Sequence, residues 1–402
     1  MEGKIRLGFL AHGIYYGGAN TSLYLMIKHL DPNKYELFLY TPSCRSDKMK
    51  SDFQRFCKSI TIIPMEQIRN AATCLTTIKD FNRISKIQYN DFIKILIKDE
   101  IDILHVNTSV FPHILHQVKS GTSIKIVTHV RELIPYYDNG LVQQYMIKQI
   151  YDNSDAIICI SDQEAIPFKG HTNLQIIPNP FDFSKIDSIN PKLRSLYKIS
   201  DNYILIGMLG QFSRYKGQRV FVETLAALKK MNLTVPFKFI MIGVVFNKPW
   251  KIIVKKILGK SDYGSEILEF IRKNKLEEDI FFIPYSYQVL GLLKDIDIVV
   301  RPALTCDPWG RDVIESMALR KPVVATGKSN FYIDDNLTGF LVENPESKLL
   351  ADKIADLITN TIKRVEFGEF GFKKIEQMCN VQVFIKKLEL CYLSLNLNRW
   401  VN

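Results

Sequence analysis

Short runs of consecutive apolar residues alternate along this chain with longer stretches whose apolar positions recur at helical spacing. In the first half the strand-like runs are Ile5–Ala11, Tyr35–Thr41, Ser59–Ile63, Ile101–Val106, Ile124–Val130, Ala156–Ile160 and Leu174–Ile177. Amphipathic segments such as Thr21–Leu30 and Leu141–Tyr151 lie between them. The rhythm restarts at Tyr203–Leu209 and continues through Phe237–Ile242, Ile280–Ile283, Ile298–Val300, Pro322–Thr326 and Gly339–Val342. Alternation of this kind implies βαβ units and parallel sheets, and runs apolar at nearly every position imply strands covered on both faces.

Two such series predict an α/β chain of two Rossmann-like, doubly wound domains, residues 1–180 and 201–380. A linker over 181–200 follows the turn Asn179-Pro180-Phe181-Asp182. Open parallel sheets bind ligands beyond the carboxyl ends of their strands, so two sheets face to face are expected to form a deep cleft. A last helical stretch within 381–402 is expected to cross back onto the first domain.

The length of 402 residues suffices for two separate cores. No apolar run approaches the ~18 residues of a membrane-spanning helix. The first residues lead straight into a strand-like run without a signal-peptide layout, so a cytoplasmic location is expected. Seven scattered cysteines without CxxC spacing suggest neither a zinc site nor a disulfide framework. The net charge of +11 points to anionic partners. Phosphorylated ligands and a membrane surface both qualify. Nucleic acid is not expected, because helix-turn-helix, zinc-finger and aromatic RNA-reading signatures are missing.

Three stretches carry candidate chemistry. In "AHGIYYGGANTSLYL", Gly17 and Gly18 precede a helix, where backbone N–H groups and the helix dipole can meet a phosphate. A tight strand-to-helix turn explains the same glycines equally well. In "IGMLGQFSRYKGQRV", a strand ends at Gly210, and Arg214 and Lys216 follow in the loop. Two cations at a strand's carboxyl end suit a diphosphate, and a solvated basic loop explains them equally. In "CDPWGRDVIESMALRKPVVAT", Asp307 precedes a helix starting near Gly310, and Glu315 sits more than a turn inside it. Their eight-residue separation spans at most about 12 Å, roughly the reach from a sugar across two phosphates to a ribose. The free N–H groups near Trp309, Gly310 and Arg311 would face those phosphates. By spacing alone, an acid at the helix N-terminus for the dipole and an unrelated surface glutamate explain the same pattern better.

Together, "GQFSRYKGQ" and "CDPWGRDVIESMALRKPVVAT" resemble the signature of retaining GT-B glycosyltransferases of family four, also described as glycosyl transferases group 1. The resemblance continues through "YGGANTSL", "THVRE", "CISD", "IPNPFD" and "DNLTGFLVENPE", in the family's order and over nearly the whole chain. It implies transfer of a hexosyl group from a nucleoside diphosphate sugar, with retention at the anomeric carbon; separately, no metal or other cofactor is expected. It implies that Arg214 and Lys216 bind the diphosphate, Asp307 contacts sugar hydroxyls, Glu315 the ribose, and His129 the neighbourhood of the transferred sugar. The acceptor implied is a glycan or a lipid-linked sugar in cell-surface polysaccharide or glycolipid assembly. Three positions depart from the family pattern. Gln211 stands where an arginine is common, Asp307 is one methylene shorter than glutamate, and "TGKSNFYIDD" lacks a glutamate usual there. Two other readings stay open: a sugar-nucleotide epimerase on the same scaffold, and a non-catalytic subunit that binds nucleotide-sugars.

Two further stretches need separate readings. The acids of "DID", Asp295 and Asp297, precede an apolar strand, where turns and caps favour aspartate over a metal role. The segment "NKPWKIIVKKILGK" (247–260) holds five lysines and no acid. Trp250, Ile253, Val254, Ile257 and Leu258 share one helical face there. A basic amphipathic helix of this kind suits an anionic membrane surface, with Trp250, Lys251, Lys255 and Lys256 as contacts, and equally suits a solvated surface helix.

Overall fold

A computed structural model of the chain describes residues 3–68, 82–134, 140–247, 262–284, 286 and 288–395. Among these residues the first sheet has seven parallel strands: β1 (Ile5–Leu10), β2 (Tyr35–Thr41), β3 (Ser59–Ile62), β4 (Ile103–Val106), β5 (Lys125–Val130), β6 (Ala156–Cys159) and β7 (Leu174–Ile176). Their order is β3-β2-β1-β4-β5-β6-β7. The second sheet has six: β8 (Ile204–Leu209), β9 (Phe237–Ile242), β10 (Ile280–Ile283), β11 (Ile298–Arg301), β12 (Val323–Thr326) and β13 (Gly339–Val342), in the order β10-β9-β8-β11-β12-β13. Parallel neighbours require a crossover, which explains a helix or loop after almost every strand. In both sheets the order reverses beside the first strand, the doubly wound arrangement expected from the apolar pattern.

The chain separates into two compact units, Met1–Phe181 with Cys379–Asn402, and Asp182–Met378. In the first unit, strand alternation sends Ile5, Leu7 and Phe9 to one face and Leu10 to the other. The face of Ile5, Leu7 and Phe9 is covered by helix Gly18–His29 and by the last helix, Val381–Leu395, through Val381, Phe384, Leu388 and Tyr392. The two ends of this unit's sequence meet at a short parallel bridge. Phe181 N donates to Cys379 O at 2.6 Å, and Val381 N donates to Phe181 O at 3.0 Å. The second unit has its own core, with Phe221, Phe239, Val300, Val324 and Phe340 at its centre.

Boundaries shift for local reasons. β4 begins at Ile103 rather than Ile101, because Glu100 adopts φ 49° and Asp102 turns its carboxylate to the Arg6 N–H at 2.9 Å. Helix Gly18–His29 begins earlier than its apolar pattern, with Gly17 as cap and the Thr21 hydroxyl donating to Gly17 O. The "DID" acids serve as backbone and ion-pair acceptors. Asp295 accepts from Arg194 N at 3.0 Å, and Asp297 accepts from Leu205 N at 2.8 Å and from Arg194 Nη2 at 3.2 Å. No described helix is long and apolar enough to cross a membrane. The basic stretch with Trp250, Lys251, Lys255 and Lys256 lies outside the described residues.

Candidate functional site

The loops that follow β8, β11 and β12 all leave the second sheet at its carboxyl edge, because the three strands run parallel. After β8 the chain passes Gly210 and forms a single 3-10 turn, Arg214–Lys216. Gly217 ends that turn with φ 80°, and a Cβ on it would collide with the carbonyl oxygen of Pro302. Only glycine allows this conformation and this approach together. The turn is therefore pressed against the loop after β11, where Leu304 N donates to Tyr215 O at 2.9 Å.

Arg301, the last residue of β11, organises that loop. It is 6% exposed. Its Nε donates to Asp307 O at 2.7 Å and its Nη2 to Asp307 Oδ2 at 2.5 Å. Its Nη1 donates to both carboxylate oxygens of Asp312, at 2.8 and 2.7 Å. Burial works against the charged guanidinium, but the charges of Asp312 and Asp307 outweigh it and hold the pKa above its usual value. Thr305 Oγ1 also donates to Asp307. Lys216 is half-buried beside this network. The positive charge of Arg301, and then burial, lower the pKa of Lys216, while Asp312 and Asp307 act in the opposite sense. A further anion would relieve the repulsion between the two cations.

The helix Arg311–Ala318 is capped by Gly310 and follows the buried Trp309. Glu315 is buried on it and accepts from Arg311 Nε at 2.9 Å, one turn earlier. Burial raises the Glu315 pKa, and Arg311 opposes that rise. Arg214, expected to share a diphosphate with Lys216, is turned elsewhere. Its Nη2 donates to Glu266 Oε1 at 2.5 Å and its guanidinium lies 4.8 Å from the Tyr263 ring centroid. The hydrogen bond to Glu266 raises its pKa. Lys216 and Asp307 thus meet around Arg301 and Asp312, Arg311 and Glu315 form their own pair, and Arg214 faces another helix.

The remaining expected residues belong to the first unit. Gly17 has φ 177°, extended backbone open to any residue, and a Cβ there would meet only the Tyr15 ring, at 3.5 Å. The loop's conformational need falls instead on Gly13, with φ 157°. Asn20 Nδ2 holds that loop by donating to Gly13 O and Tyr15 O, both at 2.8 Å. Gly18 is the first helical residue. His129 lies within β5 with its imidazole wholly buried and stacked on Phe384, 6.4 Å between centroids. Its side chain is in the interior, not on the surface of the unit.

Arg301, Asp312 and Gly13 were not singled out by sequence. The available signal for the first was a charged residue closing an otherwise apolar strand, "IVVR", with acids six and eleven positions later. Among the described residues, no three His, Cys, Asp or Glu side chains gather as a metal site.

Two family models match the chain: Glycosyl transferases group 1 over residues 190–374 and Glycosyltransferase Family 4 over residues 16–185. The poly(ribitol-phosphate) alpha-N-acetylglucosaminyltransferase of Staphylococcus aureus (strain COL) is 24% identical over 304 residues, covering 74% of this chain and 56% of that protein. The capsular polysaccharide biosynthesis glycosyltransferase CapM of Staphylococcus aureus is 25% identical over 218 residues, covering 53% and 52%. The chain spans little more than half the length of these curated relatives. Among solved structures, Anabaena HepE in complex with UDP and glucose matches with a TM-score of 0.75 at 17% identity, covering 97% of this chain and 100% of that one. S. aureus TarM matches with a TM-score of 0.69 at 14% identity, covering 96% and 98%. Likeness at that identity establishes the fold.

Proposed function

Because this chain belongs to the group 1, family 4 glycosyltransferases, we propose that it moves a sugar from a nucleoside diphosphate donor to a hydroxyl of a cell-surface glycan. The relatives support this reading. One is named for N-acetylglucosamine transfer to poly(ribitol phosphate), one for capsule synthesis, and the Anabaena structure holds UDP and glucose. Both of those curated names describe transferases, which favours transfer over epimerisation or mere binding.

One observation carries the proposal: Lys216 stands half-buried at the carboxyl edge of the second sheet, in a field raised by Arg301. In this reading the diphosphate supplies an anion that relieves the repulsion between Lys216 and Arg301. Its developing charge falls on Lys216, on Arg214 once released from Glu266, and on the first-turn N–H groups of helix Arg311–Ala318. Gly17 and Gly18 leave room for a phosphate to approach the first unit's helix. Asp307, its carboxylate oriented by Arg301, accepts from sugar hydroxyls, and Glu315 from the ribose. The acceptor hydroxyl attacks from the face that the diphosphate leaves, giving retention, and its proton passes to the departing phosphate. Fixed cations supply the charge that a metal would otherwise bring. The first unit is the acceptor side.

Lys216→Ala is expected to lower turnover about 10²–10³-fold at saturating donor, the usual effect of removing one donor to developing charge. Release of nucleoside diphosphate measures it. Turnover near that of the wild type would remove Lys216 from the reaction.

The basic stretch 247–260 is proposed to hold the protein at an anionic membrane, within reach of lipid-linked acceptors. Each lysine near such a surface contributes about 1 kcal/mol. Reversing Lys251, Lys255 and Lys256 to glutamate is expected to abolish flotation with anionic liposomes and to spare activity on a soluble acceptor. Flotation that persists would rule the attachment out.

A further inference from the structure

The turn Arg214–Lys216 sends its two cations to different neighbours. Lys216 lies in the field of Arg301, whereas Arg214 reaches the helix Tyr263–Lys273. There its Nη2 donates to Glu266 Oε1 at 2.5 Å, and its guanidinium lies over the Tyr263 ring, 4.8 Å from the centroid. The backbone beneath it is fixed. Lys216 N donates to Ser213 O at 3.0 Å, Gly217 N donates to Arg214 O at 3.1 Å, and Leu304 N holds Tyr215 O at 2.9 Å. Transfer of the guanidinium to another anion therefore takes only rotation of the Arg214 side chain.

The pair can open at small cost. Its side chains are 52% and 34% exposed, and ion pairs that meet water are weak. Glu266 keeps a favourable place for its charge when Arg214 leaves. It stands in the first turn of its helix, where free N–H groups and the dipole favour an acid. A diphosphate offers Arg214 more charge and a two-pronged contact. The guanidinium thus has two anions to serve, one resident and one that arrives with the donor. When the second departs, the first is still in position to accept.

We propose that Glu266 is a positioning residue that parks Arg214 while the site is empty and takes it back as the nucleoside diphosphate leaves, which speeds release and weakens affinity. Glu266 acts through Arg214 and touches no substrate. The nucleotide in this statement rests on the transferase reading above; the exchange of Arg214 between two anions is tested apart from it.

Stopped-flow binding of UDP, GDP and ADP in turn to the full chain measures affinity and release. Glu266→Gln is expected to tighten Kd about threefold, the equivalent of one exposed ion pair, with most of the change in slower release. Arg214→Met is expected to raise Kd about tenfold, the equivalent of one charge-assisted hydrogen bond. Added to Arg214→Met, Glu266→Gln should then change nothing, because such a cycle isolates what passes through the pair. Glu269→Gln removes the same charge one turn later on the same helix, at an exposed position, and should leave Kd nearly unchanged. Unchanged or weaker binding in Glu266→Gln overturns the proposal. A gain that survives in Arg214→Met, or that Glu269→Gln reproduces, overturns it too, since either marks a general field and not an exchange. If none of the three nucleotides binds, the transferase reading falls. Inorganic pyrophosphate then decides the exchange alone, its binding tightened by Glu266→Gln only where Arg214 is present. Failure of pyrophosphate to bind as well overturns both.

Discussion

Replacing Arg301 with methionine is expected to destabilise the second unit by about 3–5 kcal/mol, the range found when one partner of a buried ion pair is removed. The guanidinium is 6% exposed and satisfies two carboxylates at once. Without it, Asp307 and Asp312 keep their negative charges beside Lys216 but lose their buried partner. The second replacement Asp312→Asn, added to Arg301→Met, is expected to recover part of the loss, because it removes one stranded charge. Urea unfolding followed on the second unit's transition measures both effects. An unaltered midpoint in Arg301→Met would show that the pair contributes nothing net.

Acid should act on the first unit at unusually mild pH. Burial is the main cause holding His105, His129 and His113 below the ordinary histidine value, His113 at about 4. A histidine with a lower pKa in the folded state binds fewer protons than its unfolded counterpart. Stability is therefore complete above the unfolded value and is lost as pH falls below about 6.5. The loss continues until the folded value is reached. Each imidazole contributes a slope of roughly 1 kcal/mol per pH unit, so the three together give about 3 kcal/mol per unit. The informative window is about pH 6.5 to 5. Carboxylates held low by cations, such as Glu36 by Lys58 and Glu66 by Arg83, begin to lose their contribution only below that window. Thermal unfolding across this window measures the slope. A flat melting temperature for the first unit would refute it.

The fold was legible because its signal is local. Each parallel strand buried on both faces leaves an unbroken apolar run, and each crossover helix leaves its own period. Arg311 and Glu315, one helical turn apart, were both singled out in sequence, but with separate roles and not as the ion pair they form. Partners were not legible where the chain joins distant residues. Nothing in the neighbourhood of His105 announces Tyr392, its hydrogen-bond partner 287 positions later. Arg301 is close in sequence to its two aspartates, yet a strand end and a following loop carry no periodicity that pairs them. The glycine loop also held a residue that the sequence did not single out. The pair before the helix drew attention, while the unusual backbone belongs to Gly13, four residues earlier than Gly17, because a positive φ leaves no mark beyond the glycine itself.

The bridge between Phe181 and Asn380 has a consequence for synthesis. The first unit begins at the start of the chain but is completed by its last helix, after all of residues 182–378 have been made. At about 5–20 residues per second, those roughly 200 residues keep a nascent chain waiting for about 10–40 s. During that interval Ile5, Leu7 and Phe9 lack the cover of Phe384 and Leu388, and His105 lacks the Tyr392 hydroxyl. The second unit has its full sequence first. Translation therefore reverses the order of the two units: the one begun earlier is sealed later, by the helix that brings Tyr392.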